Sequence, residues 1–185
     1  LDALNSSTKR RQGILSLGRI VPVKNIELAI LAISKSKYKD LKLTCIGPHL
    51  SESEYVKSLS DFAISHHVEL KVKQALPYST IPQVLSGFEF IFTGTPRSVD
   101  KAVIEGAMSG CFVLAVEKEI LEMTGMLEVW RDLGYSDFPQ LSEQLNVLCT
   151  LDVAIEQTLR TKLSVEAVLL NEVYSTVKKI LSEIC

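Results

Sequence analysis

Short apolar runs alternate with helical segments along most of this chain, from residue 13 to residue 116. The runs, which are bounded by glycine, proline or polar residues, have the length of β-strands: 14–17, 42–46, 68–72, 89–92 and 111–116. The segments between them, such as Asn25–Ser36, carry apolar residues at helical spacing. Strands that alternate with helices form βαβ units, whose right-handed crossovers build a parallel sheet covered on both faces. The pattern therefore predicts an α/β fold, a Rossmann-like doubly wound parallel sheet.

The strand signal fades after residue 117, and the rest of the chain is mostly helical in its spacing. A sixth strand is predicted within 126–136, and a C-terminal helical tail from Phe138-Pro139 onward, ending in a long helix over 165–184. The first residue is leucine and not methionine, which suggests the middle of a longer protein. We therefore expect three parts: 1–12 as a linker from a missing N-terminal domain, 13–137 as the Rossmann-like domain, and 138–185 as helices packing on it.

Charge is unevenly distributed over the 185 residues, although the net charge is only −2. Residues 1–101 carry 14 basic and 9 acidic side chains, whereas residues 102–185 carry 6 basic and 13 acidic ones. An anionic ligand is therefore expected in the first half. The small net charge gives no support for nucleic-acid binding.

The cysteines and the hydropathy point to a cytoplasmic protein. Cys45, Cys111, Cys149 and Cys185 are far apart and form no C-x-x-C pair, so we expect reduced thiols. No apolar run reaches the ~18–20 residues that a bilayer requires, and no signal peptide is visible.

The turn after the first predicted strand combines a glycine with two cations. Open α/β sheets bind ligands at the carboxyl ends of their strands. Gly18 allows a tight turn there, Arg19 offers a planar fork of donors, and Lys24 adds a charge near the next helix N-terminus. Arg19 and Lys24 could clamp a diphosphate, and the alternative is that both are ordinary surface cations.

A second candidate segment follows the fourth predicted strand. Ser98 is expected to cap a helix over Val99–Ser109, which leaves the N–H groups of Ser98, Val99 and Asp100 free for an anion, with Arg97 beside them. Glu105 lies about two turns into that helix among apolar residues, and a carboxylate there needs partners. Ribose hydroxyls would serve, and so would a neighbouring cation.

Other motifs are weak or absent. Gly47 ends the second predicted strand and could let a ligand approach the backbone, or it could be a plain turn glycine. His66-His67 have no further ligands at metal-binding spacing, so no metal site is predicted. The dinucleotide motif G-x-G-x-x-G, the P-loop and the G-x-S-x-G elbow are all missing, which argues against a dehydrogenase, a P-loop nucleotidase and a serine hydrolase.

Three segments together resemble one family. Residues 15–25, LSLGRIVPVKN, are similar to the "GR-x-x-x-x-K" stretch of retaining GT-B glycosyltransferases of group 1 (family 4). Residues 43–47, LTCIG, resemble the family's second strand and glycine, and residues 104–115, IEGAMSGCFVLA, resemble its "EAMA-x-G-x-P-V-V-A" block. The resemblance covers roughly residues 13–116 in the right order.

The resemblance implies that 13–137 is the nucleotide-sugar donor domain, the C-terminal half of a two-domain enzyme. It assigns the donor diphosphate to Arg19, Lys24 and the loop Arg97-Ser98-Val99, and the nucleotide ribose to Glu105. It implies no cofactor and no metal, because cations and helix N-termini neutralise the leaving group. The partners would be a nucleotide-sugar and the N-terminal acceptor-binding domain of the same polypeptide, which could also bring the protein to a membrane surface. The resemblance assigns no catalytic residue in this chain.

One position departs from the family pattern. The family has a pair of glutamates eight positions apart, and the position eight before Glu105 is Arg97. The first glutamate of the family faces the donor sugar. Arg97 therefore suggests an acidic sugar, or a degenerate, non-catalytic GT-B module that binds a nucleotide or a protein partner.

Overall fold

A parallel sheet of five strands forms the centre of the structure, a computed structural model that describes residues 11–50, 53–97 and 100–184. Along the chain the strands are β1 Ile14–Leu17, β2 Leu43–Ile46, β3 Leu70–Lys73, β4 Phe90–Thr93 and β5 Phe112–Ala115. Their order in the sheet is β3-β2-β1-β4-β5, and every pair is parallel. The predicted Rossmann-like doubly wound sheet is confirmed.

Helices connect the strands and cover both faces. They are α1 Glu27–Lys35, α2 Glu54–Ser65, α3 Ile81–Ser86, α4 Lys101–Met108, α5 Lys118–Met123, α6 Met126–Asp132, α7 Leu141–Leu148 and α8 Val153–Ile184. Two single turns of 3₁₀ helix, Pro22–Lys24 and Tyr78–Thr80, precede α1 and α3. All residues of β2, β4 and β5 are buried, which agrees with strands covered on both faces.

The strand order places a topological switch point between β1 and β4. The chain builds outward from β1 through β2 to β3, then returns to the other side of β1 to form β4 and β5. The carboxyl ends of β1 and β4 are therefore neighbours, although Leu17 and Thr93 are 76 positions apart in the sequence. A crevice at this edge is where sheets of this kind hold ligands.

The predicted sixth strand is wrong. Residues 126–132 of the predicted 126–136 form helix α6. Its buried residues Met126, Leu127, Val129 and Trp130 follow i, i+1, i+3, i+4 spacing, which is the apolar stripe of a helix and not the alternation of a strand. The segment closes with a turn at Gly134, whose φ is +88°.

The long helix α8 begins earlier than predicted and packs on α4. Its Leu159, Leu163 and Ala167 are buried. Arg160, on the same helix, reaches the amino ends of β4 and β5: its Nη1 donates hydrogen bonds of 2.6 Å to the carbonyl oxygen of Gly110 and of 3.1 Å to that of Glu89. The guanidinium also lies 4.2 Å from the centre of the Phe112 ring. The first four turns of α8 are thus fixed to the sheet.

Farther along α8, apolar side chains point into solvent. Val165, Leu169 and Val173 are each at least half exposed, and Leu170 is 38% exposed. Helical spacing of four residues places Val165, Leu169 and Val173 on one face. None of the helices in the described part of the chain is long and apolar enough to cross a membrane.

Candidate functional site

Two glycines bring the ends of β1 and β2 into direct contact. Gly18 follows β1 with φ +132°, a backbone conformation that residues other than glycine rarely adopt. A Cβ on Gly47 would lie 1.8 Å from the carbonyl oxygen of Gly18. The close backbone of Gly18 therefore requires glycine at position 47. This requirement accounts for the residue without the approach of a ligand.

The loop that follows Gly18 is tied to the loop that follows β4. Asn25 adopts the left-handed conformation, with φ +46°, and its side-chain amide donates a 2.8 Å hydrogen bond to the carbonyl oxygen of Gly94. A Cβ on Gly94 would lie 2.8 Å from the carbonyl oxygen of Lys24. The two candidate segments of the sequence thus meet at the switch point.

Lys24 forms an ion pair with Asp100. Its Nζ lies 2.5 and 2.6 Å from the two carboxylate oxygens, and the two side chains are 15% and 24% exposed. Asp100 also accepts a 3.1 Å hydrogen bond from the hydroxyl of Thr95. The sequence singled out only the backbone N–H of Asp100 and missed the role of its side chain, because 76 residues separate it from its partner.

Helix α4 begins at Lys101, and its N-cap is Asp100. The predicted cap, Ser98, and the predicted first helical residue, Val99, lie outside the described residues. The extended backbone of Asp100, with φ −71° and ψ 133°, ends the loop there, and its carbonyl oxygen accepts the first helical hydrogen bond from Val103. The structure describes this helix from Lys101 to Met108, within the predicted range of 99–109.

The two arginines of the candidate site are exposed. Arg19 makes no side-chain hydrogen bond or ion pair with any residue that the structure describes. Arg97 has φ +52°, the left-handed region that a non-glycine residue seldom occupies. The structure therefore joins Lys24 to the start of α4, but it holds neither arginine against them.

Glu105 has two polar neighbours. The phenol of Tyr78 donates a hydrogen bond to its Oε1, and the ammonium of Lys101 lies 3.3 Å from the same oxygen. Lys101 also donates a 3.0 Å hydrogen bond to the Tyr78 hydroxyl. Hydrogen bonding to Tyr78 and attraction to Glu105 raise the pKa of Lys101 above its ordinary value. The neighbouring cation that the sequence offered as an alternative partner for Glu105 is therefore present, and it is Lys101. Tyr78 is a further partner, which the sequence pattern did not single out.

A cavity of about 280 Å³ lies beside Glu105, at the carboxyl ends of β1 and β2. Apolar side chains dominate its walls, and its lining includes Gly18, Gly47, Pro48, Leu76, Tyr78 and Glu105. An apolar surface with a carboxylate and a phenol at its edge has the chemistry to contact an aromatic ring and to bind the hydroxyl groups of a sugar attached to it. A larger cavity, about 550 Å³, lies between Gly13, Lys42 and Phe88, at the opposite edge of the sheet from the one where parallel sheets bind ligands.

No metal-binding cluster accompanies this site. Within residues 11–50, 53–97 and 100–184, no group of three or more His, Cys, Asp or Glu side chains is placed to hold a metal ion.

Solved structures resemble the chain in fold, whereas no protein-family model and no curated protein matches it. Anabaena HepE in complex with UDP and glucose has a TM-score of 0.69 and 18% identity, over 94% of this chain and 49% of HepE. The catalytic domain of cholesterol-α-glucosyltransferase from Helicobacter pylori has a TM-score of 0.65 and 15% identity, over 86% of this chain and 98% of that one. The pneumococcal O-GlcNAc transferase GtfA, in complex with UDP and GlcNAc, has a TM-score of 0.59 and 15% identity, over 95% of this chain and 37% of GtfA.

These comparisons define the fold class. The chain has the Rossmann-like α/β architecture found in GT-B glycosyltransferases. It spans about half the length of HepE.

Proposed function

We propose that this chain is the donor-binding, C-terminal half of a retaining GT-B glycosyltransferase of group 1 (family 4). The observation that carries the proposal is the cavity at the carboxyl ends of β1 and β2, with Glu105 at its edge. The fold supports it, as do HepE and GtfA, which have this fold and were solved with UDP. The segments 15–25, 43–47 and 104–115 support the family.

In this proposal the cavity takes the nucleoside of a nucleoside-diphosphate sugar. The base lies between apolar walls, and the Glu105 carboxylate accepts hydrogen bonds from the ribose hydroxyls, in exchange for the one from Tyr78. Gly18 and Gly47 form part of the cavity wall at the ends of β1 and β2. Arg19, Lys24 and the loop Arg97-Ser98-Val99 face the diphosphate, whose growing charge they stabilise as the bond to the sugar breaks.

The sugar acceptor is assigned to a second, N-terminal domain of the same polypeptide. The chain's match to only half of HepE supports this division. So does the exposed apolar face of α8 at Val165, Leu169 and Val173, since a contiguous apolar surface commonly marks a contact between domains or proteins. That second domain would also carry any attachment to a membrane surface.

A second candidate is a non-catalytic module that binds a nucleotide without transferring a sugar. Two observations favour it: Arg97 replaces the glutamate that the family places near the donor sugar, and Asp100 engages Lys24. Both candidates share nucleotide binding, and they differ in whether a sugar leaves the diphosphate.

Calorimetric titration of the 185-residue chain with UDP, GDP and ADP tests both candidates. We expect one of the diphosphates to bind, and Glu105→Ala to weaken it by about 2 kcal/mol, the usual cost of removing a charged hydrogen-bond partner. Glu119→Ala, which removes an exposed glutamate from α5, is the matched control and should leave binding unchanged. Absence of binding to all three diphosphates, or equal binding by wild type and Glu105→Ala, would overturn the proposal.

A further inference from the structure

The cation at the carboxyl end of β1 already has an anionic partner within the chain. Both carboxylate oxygens of Asp100 lie within 2.6 Å of Lys24 Nζ, and both side chains are largely withdrawn from water. The attraction between charges grows as water is excluded, so this pair is stronger than one on the open surface. Asp100 therefore neutralises much of the positive charge that Lys24 would otherwise present to a ligand.

Asp100 is held in place by the loop after β4. The hydroxyl of Thr95 donates to Oδ2 at 3.1 Å, and that of Thr93 lies 3.5 Å from the same atom. An aspartate at the N-cap of a helix usually accepts a hydrogen bond from the helix's own N–H groups. The Asp100 side chain makes no such bond and is turned toward Lys24 instead.

This ion pair adjoins the cavity beside Glu105. Gly18 lines that cavity, and a Cβ on Gly18 would lie 3.9 Å from Lys24 Nζ. A phosphate attached to a nucleoside in the cavity would reach Lys24 from this side and would meet the Asp100 carboxylate, which carries the same sign of charge.

We propose that Asp100 determines how much phosphate charge this site accepts, because it competes with a ligand phosphate for Lys24. The inference rests on the proposed function, since it takes the cavity to be a nucleoside site. A nucleoside without phosphate leaves the ion pair intact. A nucleoside diphosphate has to displace Asp100 or accept its repulsion, so the diphosphate adds little to the affinity of the nucleoside.

Asp100→Asn tests this inference with little change of size, and the amide keeps a side-chain oxygen that can accept the hydrogen bond from Thr95. Calorimetry would compare each nucleoside with its diphosphate: uridine with UDP, guanosine with GDP, and adenosine with ADP. For the pair that binds, we expect Asp100→Asn to tighten the diphosphate about tenfold and to change the nucleoside less than about twofold. Asp61→Asn, on the exposed side of α2, is the matched control.

A second variant shows whether the gain passes through Lys24. In Lys24→Met/Asp100→Asn the tighter diphosphate binding should disappear, while thermal unfolding reports that both variants remain folded. An unchanged ratio of nucleoside to diphosphate affinity in Asp100→Asn overturns the inference, and so does a gain that survives the loss of Lys24. If the nucleoside binds in these cases, the proposed function still stands. If no nucleoside or diphosphate binds to wild type or variant, both fall.

Discussion

The phenol of Tyr78 donates a hydrogen bond to the carboxylate of Glu105, across the mouth of the cavity that lies at the carboxyl ends of β1 and β2. Tyr78 is 65% exposed, and its hydroxyl also accepts a hydrogen bond from the ammonium of Lys101. The tyrosine thus binds the carboxylate oxygen that the proposed function assigns to the ribose hydroxyls.

Tyr78→Phe should tighten nucleoside binding about fivefold. The phenylalanine keeps the ring but removes the competing donor, and one neutral hydrogen bond contributes about 1 kcal/mol. The measurement is calorimetric titration with the diphosphate that binds wild type. Tyr38→Phe, at the opposite edge of the sheet, should have no effect. Weaker binding by Tyr78→Phe would show instead that the hydroxyl contacts the ligand.

Four strands of this fold, β1, β2, β4 and β5, were predictable because each is a short apolar run between chain-breaking residues, whereas β3 was predictable from its alternation of apolar and charged residues. Strands β1, β2, β4 and β5 lie within a residue of their predicted bounds, and β3 is shifted because Leu70, and not Val68, begins the pairing with β2. Helix α6 was not predicted, since its stripe is only two turns long and its Val129 and Trp130 are also typical of strands.

The candidate site was predictable only in part. Gly18, Lys24 and Gly47 follow strands, and the parallel sheet brings their surroundings together. The pairing of Lys24 with Asp100 depends on how two loops close over the switch point, which no local spacing encodes. Tyr78 begins a single turn of 3₁₀ helix that has no apolar periodicity, so only the fold shows that it reaches Glu105.

Gly47→Ala should prevent the chain from folding. The added Cβ would lie 1.8 Å from the carbonyl oxygen of Gly18. That oxygen belongs to the backbone, which the pairing of β1 with β2 holds in place. Gly87→Ala is the control, since its Cβ would approach only the carbonyl oxygen of Val84, at 3.3 Å, in an exposed turn. Circular dichroism and soluble yield measure the difference. A folded Gly47→Ala protein with an unchanged melting temperature would contradict the close approach of β1 and β2.

Arg160→Met should lower the free energy of unfolding by about 3 kcal/mol. The arginine is 11% exposed and donates to the carbonyl oxygens of Gly110 and Glu89. Both hydrogen bonds would be lost, although the carbonyl oxygen of Glu89 keeps the one from the Phe112 N–H. Methionine retains an apolar contact with the Phe112 ring, so the loss reports the polar interactions. Urea unfolding measures it, with Arg131→Met as the exposed control, for which a change under about 0.5 kcal/mol is expected. Equal stabilities of the two variants would show that α8 is not fixed through Arg160.

The buried thiols should be inert in the folded protein. Burial raises the pKa of Cys45 to about 12 and that of Cys111 to about 11, and no disulfide joins Cys45, Cys111 or Cys149. Raised thiol pKa values stabilise the fold below about pH 9, the ordinary thiol value, and this contribution is lost as the pH rises through that value toward those of the folded state. In Cys149→Ser/Cys185→Ser, a thiol reagent at pH 8 should label nothing until guanidinium chloride is added. Rapid labelling of the native protein would contradict this burial.

Arg97 should determine which donor sugar the chain accepts. The resemblance places a glutamate at this position, and the arginine found there is exposed and can pair with a ligand carboxylate through two parallel hydrogen bonds. We expect wild type to bind UDP-glucuronate about tenfold tighter than UDP-glucose, because a charged hydrogen bond contributes about 1.5–3 kcal/mol. Arg97→Glu should reverse this order, whereas Lys118→Glu, an equal change of charge on exposed α5, should preserve it. The same low affinity for both sugars in wild type and Arg97→Glu, with UDP itself still bound, would remove Arg97 from sugar recognition and would favour the non-catalytic module.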